Sequence, residues 1–578
     1  MALRHPFARA EEASVAPLVA LSLFALIGAG GLAFDYARLA AVDTELQQAA
    51  DQAALAAATQ LDQKAGSTTR AVAAAQFMLT NETRFASRSS AAEVRVATGE
   101  DDTADPANPV ARVIFYTTKA DAEANTNGYP ASAAADLTAR FVKVAVTGRK
   151  AVYALTPLVG AFESGTINAK AVAGLGSAIC KVPPVMMCNP TEPASNANPD
   201  YPFDADSLKG YGLRLVSVGN GPSAWAPGDF GYLDVGSSTS NPNVELRQAL
   251  GWLTAPGECS QLEGVQTRTG AGTTVTQALN TRFDIYERAN TGNGNNASCP
   301  SGSYCPPSIN VVKDLYQKGT PNNAGKCGVA NNEWEVPADA DAYRPTSATS
   351  DLTAAQRDAV KLMGHPRDRC HAVSINGSCT YGGGTATKIG DGIWDRDAYF
   401  WANYRWDHAT WQNALNSGVV SARIPTTRLP TRYEVYSWEI ANRGTVIGGK
   451  TILAPRQLDP AGTGSNQPTD FDGPVCSPLQ TPSSTGVVPG GSQVDRRRIS
   501  AAVLNCKAEN VHGGGGTVYP VLKWVEMFLV EPSIDRGSGG SQRTDPNDIY
   551  VEIIGETRLG AGSSAGQVVR RDKPYLVR

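Results

Sequence analysis

The run Val15-Ala-Pro-Leu-Val-Ala-Leu-Ser-Leu-Phe-Ala-Leu-Ile-Gly-Ala-Gly-Gly-Leu-Ala-Phe34 decides how the rest of the chain is read. It carries no charged residue, and the first charge beyond it is Asp35. As a helix it would span about 30 Å, the thickness of a bilayer's hydrocarbon core. Arg4 and Arg9 precede the run together with Glu11 and Glu12. Acidic residues count little toward orientation, so the N-terminus is expected in the cytoplasm. A cleaved signal peptide is the competing reading; the run is long for one, and no convincing small-residue cleavage site follows it.

The helical pattern does not stop at the membrane. No Gly or Pro interrupts Tyr36 to Gln63, and Leu39, Val42, Leu46, Ala49, Ala53 and Ala56 recur at three- and four-residue steps. Asp43, Gln47, Gln48 and Asp51 fall off that stripe, the pattern of a helix with one apolar face. A helix from Ser14 to Gln63 would be about 75 Å long, half of it in the membrane. Pro17 falls in its first turn, where a missing N–H costs little. Within the span, Val15 to Phe34, the residues Ala25, Ala29 and Ala33 lie at four-residue steps beside Gly28. Small side chains let membrane helices approach closely, so this face is a candidate helix-packing site. Tolerance of Gly and Ala in membrane helices explains the same residues without any contact.

Beyond the span lies most of a 578-residue chain, long enough for about three or four compact units. A net charge of −4 offers no field suited to nucleic acid, and no such partner is expected. With 57 Gly and 36 Pro, the body is expected to be turn-rich and largely β. All ten cysteines lie between Cys180 and Cys506, past the span. Outside the cytoplasm they are expected as disulfides. Short loops favour Cys180–Cys188, Cys299–Cys305 and Cys370–Cys379, with Cys476–Cys506 tying a flexible loop to a strand. Spacing alone does not settle connectivity.

Three segments carry a family resemblance: Glu12-Ala-Ser-Val-Ala-Pro-Leu-Val-Ala-Leu, then Gly31-Leu-Ala-Phe-Asp35-Tyr-Ala-Arg38, then Leu46-Gln-Gln-Ala-Ala-Asp51-Gln-Ala-Ala-Leu-Ala-Ala-Ala58. Together they resemble the TadE/TadG-like proteins of bacterial Flp (tight adherence) pilus systems. Ala13 stands where that family usually has Gly and no Arg precedes it, so prepilin-type cleavage is not carried over. Ala92–Ala97, Ala111–Thr117 and Ala139–Thr147 alternate polar and apolar residues like half-buried strands, and the resemblance implies that Leu155–Phe162 is a membrane-proximal apolar turn and Thr166–Ala173 a closing strand. Some relatives carry a von Willebrand A domain, but the chain has no Asp-x-Ser-x-Ser loop.

In the body, Asn243–Leu253, Asp351–Met363 (capped by Ser350 or Asp351) and Arg396–Asn416 have helical spacing. Arg282–Tyr286, Arg432–Ile440, Ile499–Cys506, Val521–Glu531 and Ile549–Thr557 read as strands. Motifs for chemistry are weak. His512-Gly-Gly-Gly-Gly516 and Gly562-Ser-Ser-Ala-Gly566 echo a hydrolase, yet no His follows the Ser. Asp229-Phe-Gly231 and His365-Pro-Arg-Asp368 echo kinase signatures in reversed order. His365, Cys370, His371 and Cys379 lack the second ligand pair of a zinc site, and a local disulfide explains the cysteines better. Asp391, Asp395 and Asp397 cluster beside Gly as calcium ligands do, although Asp is commonplace in turns. No catalytic, cofactor-binding or metal residue is assigned.

The expectation is therefore an α+β protein: a long N-terminal transmembrane helix on a small pilin-like sheet, then a large β-rich, disulfide-containing body with short helices. Its divisions are 1–65 (helix), 66–178 (pilin-like), 179–202 (linker), 203–458 (β-rich), 459–495 (loop) and 496–578 (strand-rich). The expected function is a non-enzymatic component of a Flp/Tad-type pilus assembly or secretion apparatus. It would sit in the bacterial inner membrane with its body outside the cytoplasm, partnered by other Tad proteins or pilin-like subunits. The alternative is an anchored adhesin or glycan binder, motivated by the aromatic stretch Tyr399–Trp411.

Overall fold

The structure, a computed structural model, describes residues 15–62, 65–81, 95–98, 110–149, 153–155, 164–165, 167–180, 184–218, 223–234, 242–253, 264–268, 273–287, 298–318, 327–329, 334–338, 342–343, 353–372, 379, 388–459, 467–476, 486–490, 493–513, 517–536, 544–557 and 569–577. Two compact units result: residues 1–177 with 572–578, and residues 178–571.

The first unit is built on helix α1 (Val15–Ala58) and helix α2 (Ser67–Asn81). Strands β1 (Arg95–Thr98) and β2 (Val110–Tyr116), short helices α3 (Lys119–Ala124) and α4 (Ala133–Thr138), and strands β3 (Phe141–Arg149) and β4 (Ile167–Cys180) follow. The sheet runs β1-β2-β3-β4 and is completed by the C-terminal strand Val569–Val577 beside β4. Val113, Phe115, Val142, Val144, Ala171 and Ala173 alternate onto the face that packs under α1, while Ile114 and Tyr116 turn to the other face with Ala122 of α3. The expected stripe is buried at Val42, Leu46, Ala49 and Ala53; Leu39 and Ala56 are half-buried. A second row, Ala50, Ala54 and Ala58, is also buried, because Ala71, Ala75 and Leu79 belong to the same core. Alanine on both rows lets the helix axes come close. The turn between the helices uses Gly66 at φ +79°. Asp136 of α4 then acts as a tertiary cap for α2, accepting from the N–H of Gly66 (2.6 Å), the N–H of Thr68 (2.9 Å) and the Thr68 hydroxyl (2.6 Å).

The second unit holds β5 (Val185–Cys188), β6 (Gly212–Ser217), β7 (Asp229–Leu233), α5 (Pro242–Gly251), β8 (Val265–Arg268) and α6 (Thr273–Asn280). Next come β9 (Tyr316–Lys318), β10 (Trp334–Glu335), α7 (Ala354–Ala359), α8 (Arg369–Ala372), α9 (Arg396–Tyr404), α10 (His408–Leu415) and α11 (Arg432–Ala441). Small strands β11 (Val446–Ile447), β12 (Lys450–Thr451), β13 (Arg456–Gln457) and β14 (Pro468–Asp470) precede β15 (Arg498–Leu504), β16 (Val518–Tyr519), β17 (Lys523–Leu529) and β18 (Ile549–Glu556).

The main sheet has the order β16-β8-β7-β5-β15-β17-β18-β6, and β6 also pairs with β7. That extra pairing closes β7-β5-β15-β17-β18-β6 into a six-stranded ring, a small barrel with no free edge among its members. The pleat confirms it. Val185, Met187, Phe230, Ala501, Met527 and Val551 lie in one buried cluster, while their neighbours Met186, Cys188, Ala502, Phe528 and Tyr550 lie in others. Leu246 and Leu250 of α5 and Leu279 of α6 join the first cluster.

Several expectations are corrected here. The expected linker 179–202 contains β5, a strand in the middle of the barrel. Segment 496–578 is no separate portion: β15, β17 and β18 belong to the barrel, and 569–577 joins the first unit's sheet. Arg432–Ile440 is helix α11, not a strand; Thr431 and Glu434 form a reciprocal capping box there, and burial of Arg432, Val435, Tyr436 and Glu439 follows the helical period. Arg282–Tyr286 is a tight helical turn followed by Asp284 at φ +67°, which no strand accommodates. Arg396–Asn416 divides into α9 and α10 because Arg405 adopts φ +56° and Asp407 caps a new helix. The cap of α7 is Thr353, with Gln356 completing its box.

Candidate membrane anchor and its surroundings

Every residue from Val15 to Ile27 is exposed, and the first fully buried position of α1 is Gly31. Val15 and Phe34 are 57% and 55% exposed, and Ala25, Ala29 and Ala33 are exposed beside half-buried Gly28. A Cβ at Gly28 or Gly30 would meet nothing within 4 Å. The small-residue face is thus open for a helix to approach. One helix in the described residues is long and apolar enough to cross a membrane, and this is it.

The span ends on an unusual side chain. Asp35 is buried, and its carboxylate accepts the backbone N–H groups of Ala154 (2.7 Å) and Leu155 (2.9 Å). The local sequence signals this partner only through an Asp directly after the apolar run, because the bonded groups lie 119 and 120 positions away.

In the second unit, four disulfides are described: Cys188–Cys506, Cys299–Cys305, Cys327–Cys476 and Cys370–Cys379. Cys299–Cys305 and Cys370–Cys379 close short loops, with sequence separations of 6 and 9. Cys188 does not bond Cys180, because β5 lies beside β15 in the barrel and brings Cys188 next to Cys506. Cys476 consequently pairs with Cys327 rather than Cys506. Cys259 and the side chain of Cys180 lie outside the described residues. Cys370, His371 and Cys379 bring their ligand atoms within 4.8 Å of one another, but both sulfurs are spent in a disulfide and offer no thiolate.

The three carboxylates beside Gly390 point to separate tasks. Asp391 accepts from the N–H of Ile393, Asp395 caps α9 through Ala398, and Asp397 accepts from Trp411 Nε1 (2.7 Å) and contacts His408 Nδ1 (2.8 Å). His365 is buried, stacked on Tyr399 at 4.8 Å, and faces the donor-only guanidinium of Arg497 through Nδ1. Burial, then Arg497 and Arg432, push its pKa well below the usual histidine range, so the ring is neutral. Its Nε2 lies 4.0 Å from Glu439, whose own pKa burial raises against hydrogen bonds from Tyr399, Asn310 and Tyr404. Of the hydrolase-like segments, residues 514–516 and 562–566 lie outside the described residues, and His512 Nδ1 contacts the carbonyl of Asn510 at 2.7 Å.

The aromatic stretch that motivated a glycan platform is core. Tyr399, Phe400, Tyr404, Trp406 and Trp411 are all buried; Phe400 stacks on Trp411 and Tyr404 on Trp406, whose ring meets Trp438 of α11 edge-on. A cavity of about 120 Å³ lies nearby, lined by Leu362, Met363, His365, Arg367, Val530 and Arg536 among others. Its guanidiniums are engaged, Arg367 with Glu531 and Arg536 with Asp314.

The candidate anchor is therefore a single exposed apolar helix continuous with a buried one that carries a small sheet. Residues 13–60 match the family model for TadE/G-like Flp pilus-assembly proteins. The match covers this N-terminal segment alone, which is similar to the TadE/G-like domain of Flp pilus-assembly proteins and contains the one helix, among the described residues, long and apolar enough to cross a membrane. Neither a curated protein nor a solved structure matches the chain.

Proposed function

We propose that the chain is a membrane-anchored, non-enzymatic component of a Tad-type pilus assembly or secretion apparatus, held in the inner membrane with its N-terminus in the cytoplasm and its body outside. The observation that carries this reading is the two-part character of α1. Its first half is apolar and uncovered, whereas its second half is the core of a folded module. Such a helix transmits the position of other membrane helices to a rigid domain beyond the bilayer. Disulfides that close loops of 318 and 149 residues support an oxidising compartment for the body. Asp391, Asp395 and Asp397 are engaged in a turn, a helix cap and a tryptophan contact, and Arg367 and Arg536 in ion pairs, which supports a structural role.

Deletion of the gene tests this reading. Loss of pili and of surface adherence is expected, with both restored by the intact gene. Complementation by Phe24→Lys, which places a charge in mid-span, is expected to fail. Normal piliation in the deletion strain would overturn the proposal. Protease added outside the inner membrane should cut the body and spare the first residues; the reverse pattern would overturn the orientation.

A further inference from the structure

Segment 153–155 meets α1 where the apolar run ends. Gly31, one turn before Asp35, is buried, and a Cβ there would lie 3.1 Å from Leu155 Cβ. By helical rise Gly31 sits about 4.5 Å inside the end of the run at Phe34. Leu155 is thus held at the level of the bilayer surface while remaining 44% exposed. Around that level α1 exposes Leu32 (58%), Phe34 (55%) and Tyr36 (73%), with an aromatic ring where interfacial rings commonly lie. Backbone N–H groups brought to such a depth lose water as a partner and must be satisfied by the protein. The Asp35 carboxylate does this for two consecutive groups, Ala154 and Leu155.

We propose that Asp35 is a positioning residue that latches segment 153–155 into the interfacial layer of the bilayer. Leu155 thereby gives the module a second lipid contact beside its anchor, and the module keeps a fixed depth and tilt. The partner is the lipid surface because the exposed Leu155 is continuous with the exposed apolar wall of α1. Gly31 is required because a larger side chain would displace Leu155. This inference rests on the reading that α1 spans a bilayer.

The test uses the full chain in vesicles of phosphatidylcholine and phosphatidylglycerol, with one added cysteine carrying an environment-sensitive fluorophore at Phe24→Cys, Leu155→Cys or Lys119→Cys. Lipids bearing nitroxides at shallow or deep positions quench the label. Position 24 should be quenched best by the deep nitroxide, position 155 by the shallow one, and position 119 by neither. Adding Asp35→Ala should cut quenching at 155 at least twofold and leave 24 unchanged. Gly31→Leu, which keeps the carboxylate, should do the same. No quenching at 24 would overturn the span itself. Quenching at 24 without any at 155 would overturn the latch alone, and unchanged quenching at 155 in both variants would overturn the roles of Asp35 and Gly31.

Discussion

Asp136 shows how much one side chain can hold together. Hydrogen bonds from the Thr68 hydroxyl, then from the N–H groups of Thr68 and Gly66, lower its pKa from the ordinary carboxylate range. The stabilisation is therefore present above that ordinary range and is lost as pH falls through the lowered value. Asp136→Asn should lower the melting temperature of the first unit at neutral pH. The gap from the parent should close on acidification; a constant gap across pH would refute the assignment. Arg432 carries a larger load. It is fully buried, and its guanidinium bonds Asp368, Glu552 (3.0 Å) and the carbonyl of Pro366 (2.6 Å). Burial opposes the charge, but the two carboxylates more than offset it and raise the pKa. Arg432→Met should cost about 3–5 kcal/mol in denaturant unfolding, because two buried carboxylates lose their partner. Adding Asp368→Asn and Glu552→Gln should recover part of it. Neither role was legible in sequence, since each residue's partners lie 64 to 120 positions away.

At the scale of elements, helix α1 was the most legible part of the chain. An uncharged apolar run over its first half, and good helix formers with an apolar stripe and no Gly or Pro from Tyr36 onward, agree on one helix of 44 residues. The same stripe predicts tolerance: Ala53 is fully buried in the core that α1 shares with α2. Ala53→Leu should destabilise the first unit by about 1–3 kcal/mol through overpacking, read by thermal unfolding. Ala25→Leu, on the exposed face, should leave that unfolding unchanged. Elements in the body were less legible where local and tertiary signals compete. Arg432–Ala441 mixes aromatic and β-branched residues with a strand-like look, yet Thr431 and Glu434 already carried a helix-start signature. Strands β15, β17 and β18 were legible because barrel members are buried on both faces and read as long apolar runs.

At the scale of the molecule, the barrel and the bridges belong together. Strands β5 and β15 are parallel neighbours although more than 300 positions separate them, and Cys188–Cys506 ties their ends across a separation of 318. A cross-link closing so long a loop restricts the unfolded chain strongly. Removing it by Cys188→Ser with Cys506→Ser should cost the second unit about 2–5 kcal/mol, measured by denaturant unfolding in oxidising buffer. In strong reductant the difference from the parent should vanish. A difference that persists there would assign the cost to packing around the serines instead.

The sequence by itself determined the long apolar helix, its continuation as an amphipathic one and the family that the first sixty residues resemble. All three depend on contacts between near neighbours along the chain. Only the tertiary structure decided which cysteines pair, that β6 closes a barrel, that residues 569–577 complete the first unit's sheet, and that Asp35 holds Ala154 and Leu155. Each of these joins residues far apart in the chain, where a local pattern fixes what a segment can become but leaves its partner open.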